Sequence, residues 1–127
     1  MIATDVRIVD ASALAALLFG EPEAETVAAQ IDGARLVAPN LLAFELAHVC
    51  LVKCRRRPDQ QEALLQGFRL FARLGVEEIA VDHISVLQLA LKTGLTAYDA
   101  SYLHLAQLLR AELVTLDKQL ARAASRP

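Results

Sequence analysis

The sequence has no tryptophan, and aromatic residues make up only 5% of its 127 positions. A core without large rings must be filled by Leu, Ala, Val and Ile, which suits helices packed on a short sheet. Cysteine is nearly as scarce: Cys50 and Cys54 stand four apart in a helix-favouring stretch. That spacing puts both thiols on one helix face but is badly placed for a bridge, so they read as reduced, buried thiols. With His48 they still fall short of a zinc ligand set. No apolar run is long enough to cross a bilayer. Asp5 stands where a secretory leader would carry a base, so the chain is expected to stay in the cytoplasm with no membrane partner. A strong charge of one sign is also missing. The formal net charge of −2 supplies no global attraction to nucleic acid and counts against a simple electrostatic binding module. An enzyme that meets phosphate through bound cations is untouched by that objection.

What is present is a high apolar content, 55% hydrophobic against 22% charged residues, which predicts one packed domain over residues 1–127 rather than disorder. A β-favouring run at 6–9 stops at Asp10, and an Ala- and Leu-rich helix follows over 11–19, closed by Gly20. Pro22 opens a second helix that ends near Gly33, and residues 36–38 form a second strand. Asn40 is the expected N-cap of a long helix reaching Arg57, where Pro58 interrupts and opens the next, which Gly75 breaks. Residues 76–81 read as a third strand, and Asp82 caps a helix that Gly94 ends. Thr96 starts the following helix, residues 113–116 form a fourth strand, and a short helix runs over 118–124. Strands alternating with helices predict an α/β fold with a short, mostly parallel sheet covered on both faces.

Four carboxylates stand out. Asp10 and Asp117 each follow an apolar strand, and ligands of open parallel sheets collect beyond the carboxyl ends of strands. Each is equally suited to capping the helix that follows it. Glu45 has Leu41, Leu42 and Val49 as helical neighbours, which sets a charge beside an apolar stripe, where desolvation is expensive. It either serves a site, or snorkels or pairs with an Arg. Asp99 lies three residues after Thr96, the spacing of a capping box, a role that leaves one carboxylate oxygen free for a ligand. Brought together, four carboxylates repel one another or take up protons unless cations bind between them. An all-oxygen set suits Mg²⁺ or Mn²⁺ rather than zinc, and such a centre activates water and stabilises phosphodiester charge.

The local patterns resemble those of PIN-domain ribonucleases, in particular the small VapC-type toxins. Val9-Asp10-Ala11-Ser12 is similar to that family's opening motif, and Pro39-Asn40-Leu41-Leu42-Ala43-Phe44-Glu45-Leu46-Ala47 to its second. Thr96-Ala97-Tyr98-Asp99-Ala100-Ser101-Tyr102-Leu103 resembles the third, and Leu113-Val114-Thr115-Leu116-Asp117-Lys118-Gln119-Leu120 the fourth. The motifs come in family order and span residues 9–120. The resemblance implies a three-layer α/β/α sandwich, with Asp10, Glu45, Asp99 and Asp117 as the catalytic, metal-binding quartet and Ser12 and Thr115 as supporting hydroxyls. It also implies Mg²⁺- or Mn²⁺-dependent hydrolysis of RNA by the toxin of a type II toxin–antitoxin pair, a small antitoxin as partner, and a homodimer. One departure is that the family usually has a further strand after the last helix, whereas this sequence stops at Pro127, so the sheet is expected to lack its last edge strand.

Arg55, Arg56 and Arg57, with Lys53 nearby, form the densest basic cluster; it suits RNA phosphate, and equally the negative end of a helix dipole. His48, His83 and His104 show no consistent partner and read as ordinary histidines. Two other functions compete. A catalytically silent PIN-like module that binds RNA or protein is disfavoured by intact acids at all four motif positions. A phosphotransfer protein using Asp10 as nucleophile normally carries a second acid two residues on, and here that position is Ser12.

Overall fold

The structure is a computed structural model describing residues 5–126; residues 1–4, where the leader argument begins, and residue 127 lie outside that range. Strand β1 (Val6–Val9) ends in Ile8 and Val9, both fully buried, and passes directly into α1 (Ala11–Leu18). Gly20, at φ +67°, turns the chain after α1, a conformation that favours glycine. Helix α2 (Ala24–Ile31) leads to β2 (Arg35–Pro39).

The long helix α3 (Leu42–Arg56) starts one residue later than Asn40 predicts, and Asn40 is not its cap. The Asn40 N–H donates to the Ile79 carbonyl at 2.9 Å, so its backbone still belongs to the sheet ladder. The capping acceptor comes from across the fold: Glu78 Oε1 takes the Ala43 N–H at 3.1 Å. A 3-10 turn opened by Pro58 (Pro58–Gln60) precedes α4 (Gln61–Arg69), and a second 3-10 turn (Leu70–Leu74) ends at Gly75. Strand β3 (Glu77–Ile79) is shorter than predicted because it pairs with β2 alone, at the sheet edge.

Asp82 caps α5 (His83–Thr93) as predicted, its carboxylate accepting the Ser85 N–H at 3.0 Å, and Thr96 caps α6 (Ala97–Leu109). Strand β4 (Glu112–Val114) stops two residues before its expected end. The Thr115 hydroxyl accepts the Asp117 N–H at 3.0 Å, a local turn that pulls the chain off the ladder. Helix α7 (Lys118–Ser125) closes the described chain.

The four strands lie in the order β3-β2-β1-β4, and every pairing is parallel. This is the α/β/α sandwich expected, with the sheet wholly rather than mostly parallel. The chain winds from β1 through β2 to β3 and then crosses back to set β4 on the other side of β1. The winding therefore reverses between β1 and β4, and a crevice opens beyond their carboxyl ends. Leu14, Leu42, Leu46, Tyr102, Leu105 and Leu120 are among the largest fully buried side chains. A smaller cluster of Cys50, Cys54 and Leu64 joins α3 to α4, and both thiols are free. Gly67 lets α4 lie against α1: a Cβ there would stand 2.5 Å from the Leu18 carbonyl oxygen. Among the described residues no helix is long and apolar enough to cross a membrane.

Candidate functional site

Asp10 and Asp117 leave the carboxyl ends of β1 and β4, the two strands that flank the switch in winding. Both act as N-caps: Asp10 Oδ1 accepts the Ala13 N–H at 3.0 Å, and Asp117 Oδ1 accepts the Leu120 N–H at 2.9 Å. Each cap engages a single oxygen, so capping leaves the other oxygen of Asp117 free, while that of Asp10 takes the Thr115 hydroxyl. Glu45 follows β2 on the first turn of α3, and Asp99 is the third residue of α6. All four acids thus sit at helix N-termini, where the helix dipole favours negative charge.

Asp10 is only 5% exposed and is the most tightly held of the four. Ser12 Oγ donates to its Oδ1 at 2.7 Å, and the Thr115 hydroxyl donates to its Oδ2. Ser12 also accepts the Leu116 N–H at 2.9 Å, tying the start of α1 to the loop after β4. Burial pushes the Asp10 carboxyl above the usual carboxylate range; hydrogen bonds from Thr115, Ser12 and Ala13 oppose that, and the Asp117 charge adds to it.

Glu45 is half-buried and neither snorkels free nor pairs with an arginine. Its Oε1 accepts a 2.6 Å hydrogen bond from the Tyr102 hydroxyl. Tyr102 is 1% exposed, so its hydroxyl needs a buried acceptor. This tyrosine was not singled out in the sequence reading. The available signal was its position three residues after Asp99 on one helix, which puts both on the same face. Burial raises the Glu45 carboxyl, the Tyr102 bond lowers it, and the charges of Asp99 and Asp10 raise it further.

Asp99 departs from the capping-box expectation. Thr96 Oγ1 accepts the Asp99 N–H at 3.1 Å, but the reciprocal bond from the Asp99 carboxylate is not made. No protein donor reaches that carboxylate among the described residues. It is raised by burial and then by the charges of Asp117 and Asp10. Asp10, Glu45 and Asp99 therefore each lie in the field of at least one other acid of the four, Asp117 acting on Asp10 and Asp99. None of the six ion pairs among the described residues includes any of them.

This donor set fits a hard divalent cation: oxygen only, anionic and without a neutralising Lys or Arg. As they stand, no three His, Cys, Asp or Glu side chains among the described residues close on one point tightly enough to hold an ion by direct contact. Mg²⁺ keeps several of its waters and needs only one or two direct carboxylates, so an open cluster suits it. The Asp99 carboxylate and the second oxygen of Asp117 receive no protein hydrogen bond among the described residues. A cavity of about 580 Å³ lies elsewhere, between α3 and α4 around Cys50, Cys54 and Leu65. Its apolar lining offers no acid–base chemistry, and burial pushes the Cys50 thiol up, away from reactivity.

The sequence profile of the PIN domain matches residues 7–126. The chain belongs to the PIN-domain family. Ribonuclease VapC3 of Pyrobaculum aerophilum is 37% identical over 119 residues, covering 90% of this chain and 91% of that protein. The PIN-domain resemblance and its VapC-type character are thereby borne out. The crystal structure of PAE2754, also from Pyrobaculum aerophilum, aligns with a TM-score of 0.77 over 95% of this PIN domain and 81% of that chain. Its 24% sequence identity makes that likeness one of fold.

Proposed function

We propose that this PIN-domain protein is a Mg²⁺- or Mn²⁺-dependent endoribonuclease, the toxin of a toxin–antitoxin pair. The observation that carries the reading is the cluster of Asp10, Glu45, Asp99 and Asp117 around the β1/β4 switch point, with the carboxyls of Asp10, Glu45 and Asp99 raised by burial and by neighbouring acids and no ion pair to a protein cation. The relation to a protein named Ribonuclease VapC3 supports RNA as the substrate. When bound, the divalent ion supplies Lewis-acid activation of water and neutralises phosphodiester charge.

The chain's own contribution is placement. Ser12 and Thr115 hold the Asp10 carboxylate in place and offset part of the burial that raises it. Tyr102 takes one oxygen of Glu45, leaving the other for the cation or its water. Asp99 and the outer oxygen of Asp117 complete the ligand set, directly or through water. His48, His83 and His104 have no part in this chemistry.

The companion expectations rest on the VapC resemblance: a small antitoxin as partner, action in the cytoplasm and a homodimer. Ile84, Leu87 and Leu91 expose 63%, 53% and 79% of their surface along one face of α5, which supports the homodimer. The test is RNA cleavage and growth arrest by wild type against Asp99→Asn, with Mn²⁺ titration by calorimetry alongside. Loss of cleavage and of saturable Mn²⁺ binding in a folded variant is expected. Wild-type protein without saturable Mn²⁺ binding would instead be a catalytically silent module.

A further inference from the structure

A second cavity, about 490 Å³, lies between α1 and α3. Ser12, whose hydroxyl donates to Asp10, and Leu116, which precedes Asp117 in the chain, line it and so join it to the acid cluster. Ala15, Val49 and Val52 give it an apolar floor, and the exposed side chains of His48 and Arg56 stand at its mouth. Glu45, His48, Val49, Val52 and Arg56 follow i, i+3, i+4, i+7 and i+11 spacing, so the groove continues the face of α3 that carries Glu45. At about 1.5 Å per residue, Arg56 lies roughly 16 Å along the axis from Glu45. That is room for several nucleotides of one strand, whose charges are at least ~3.4 Å apart.

The charges along the groove are not equivalent. Lys53 is committed, its Nζ standing 2.6 Å from Glu21 and 6.0 Å from the centre of the Phe19 ring. Glu21 is neutralised by the same pair, and Glu23 keeps an acid on the α1 side. Arg56 has no ion-pair partner among the described residues. A free guanidinium recognises phosphate bidentately, an apolar floor accepts the flat face of an unstacked base, and imidazole stacks on bases. Glu23 repels phosphate from the opposite wall and so keeps a strand against α3.

Building on the ribonuclease reading, we infer that the α1–α3 groove binds the single-stranded RNA nucleotides flanking the scissile phosphate, with a base on the Val49–Val52 floor and a phosphate on Arg56. The test is fluorescence anisotropy with a short, labelled single-stranded RNA of mixed sequence, in EDTA so that the strand stays intact. Arg56→Ala weakens binding about tenfold and lowers the slope of log K against log salt by about 0.7, the contribution of one phosphate contact on a single strand. Arg56→Lys restores most of that slope, and Lys92→Ala on α5 leaves binding unchanged, which separates the groove from bulk charge. Mn²⁺ affinity stays the same in all three variants. Wild-type affinity and slope in Arg56→Ala, with the parent still binding and cutting RNA, would overturn the groove assignment alone and favour a peptide there. A parent that binds no RNA in EDTA yet cuts it with Mn²⁺ would overturn the groove assignment alone, and a parent that neither binds nor, with Mn²⁺, cuts RNA would overturn both the assignment and the reading beneath it.

Discussion

Replacing Asp99 by Asn should make the metal-free protein more stable while removing its activity. The Asp99 carboxylate receives no protein hydrogen bond; it is partly buried and shares its field with Asp117, Asp10 and Glu45. Removing its charge therefore relieves three repulsions and breaks no internal contact. At a half-exposed position each like-charge neighbour costs on the order of 0.5 kcal/mol after solvent screening, so the gain is about 1.5 kcal/mol. An unfolding entropy of about 2.1 cal/mol/K per residue converts this, for 127 residues, into a rise in Tm of about 5–6 °C. The assay is thermal unfolding followed by circular dichroism, in EDTA and again with Mn²⁺ at about a hundred times the wild-type dissociation constant. Wild type should then gain roughly 2.7 kcal/mol from binding. The variant, with affinity reduced about a hundredfold, gains only a few tenths of a kcal/mol, and the order of the two melting points reverses. A variant that melts below wild type in EDTA would show that the carboxylate has a stabilising partner. Equal Mn²⁺-induced shifts in the two proteins would remove Asp99 from the ligand set.

Tyr102→Phe deletes the hydroxyl that holds Glu45, so Mn²⁺ affinity measured by calorimetry should fall about tenfold with circular dichroism spectra unchanged. Gly67→Ala drives a methyl group against the Leu18 carbonyl and should cost about 1–3 kcal/mol, read as a lower urea midpoint with no change in Mn²⁺ affinity. The pH dependence follows from the raised carboxyls of Asp10, Glu45 and Asp99. Their folded values exceed their unfolded ones, so the native state binds more protons and their penalty is greatest at neutral pH. Stability in EDTA should rise as pH falls through the raised values, levelling off near the ordinary 3.8 and 4.5, and Asp99→Asn should flatten that rise in urea titrations.

Local chemistry written along the chain determined most of the elements. Gly20, Gly75 and Gly94 mark helix ends or turns with positive φ, and Asp82, Thr96, Asp10 and Asp117 cap the helices that their positions predict. These signals act over a few residues, so no knowledge of the fold is needed to see them. Asp10 and Asp117 were legible because each follows a strand and Glu45 because it interrupts an apolar stripe, whereas Asp99, at a capping-box position, stood out only through the motif resemblance. What the tertiary structure alone decided depends on residues far apart in sequence. Asn40 loses its capping role to Glu78 because the β2–β3 ladder extends through its N–H, and strand neighbours are invisible to local pattern. The sheet order β3-β2-β1-β4 sets Asp10 beside the loop carrying Thr115 and Asp117, more than a hundred residues later. Tyr102 looks like an ordinary core aromatic until α6 packs its hydroxyl onto Glu45, 57 residues away. Sequence by itself determined which carboxylates were out of place; only folding decided what holds each one and that they share a field. A capping pattern is a short-range hydrogen bond, whereas mutual repulsion needs four separate segments to be gathered at one end of one sheet.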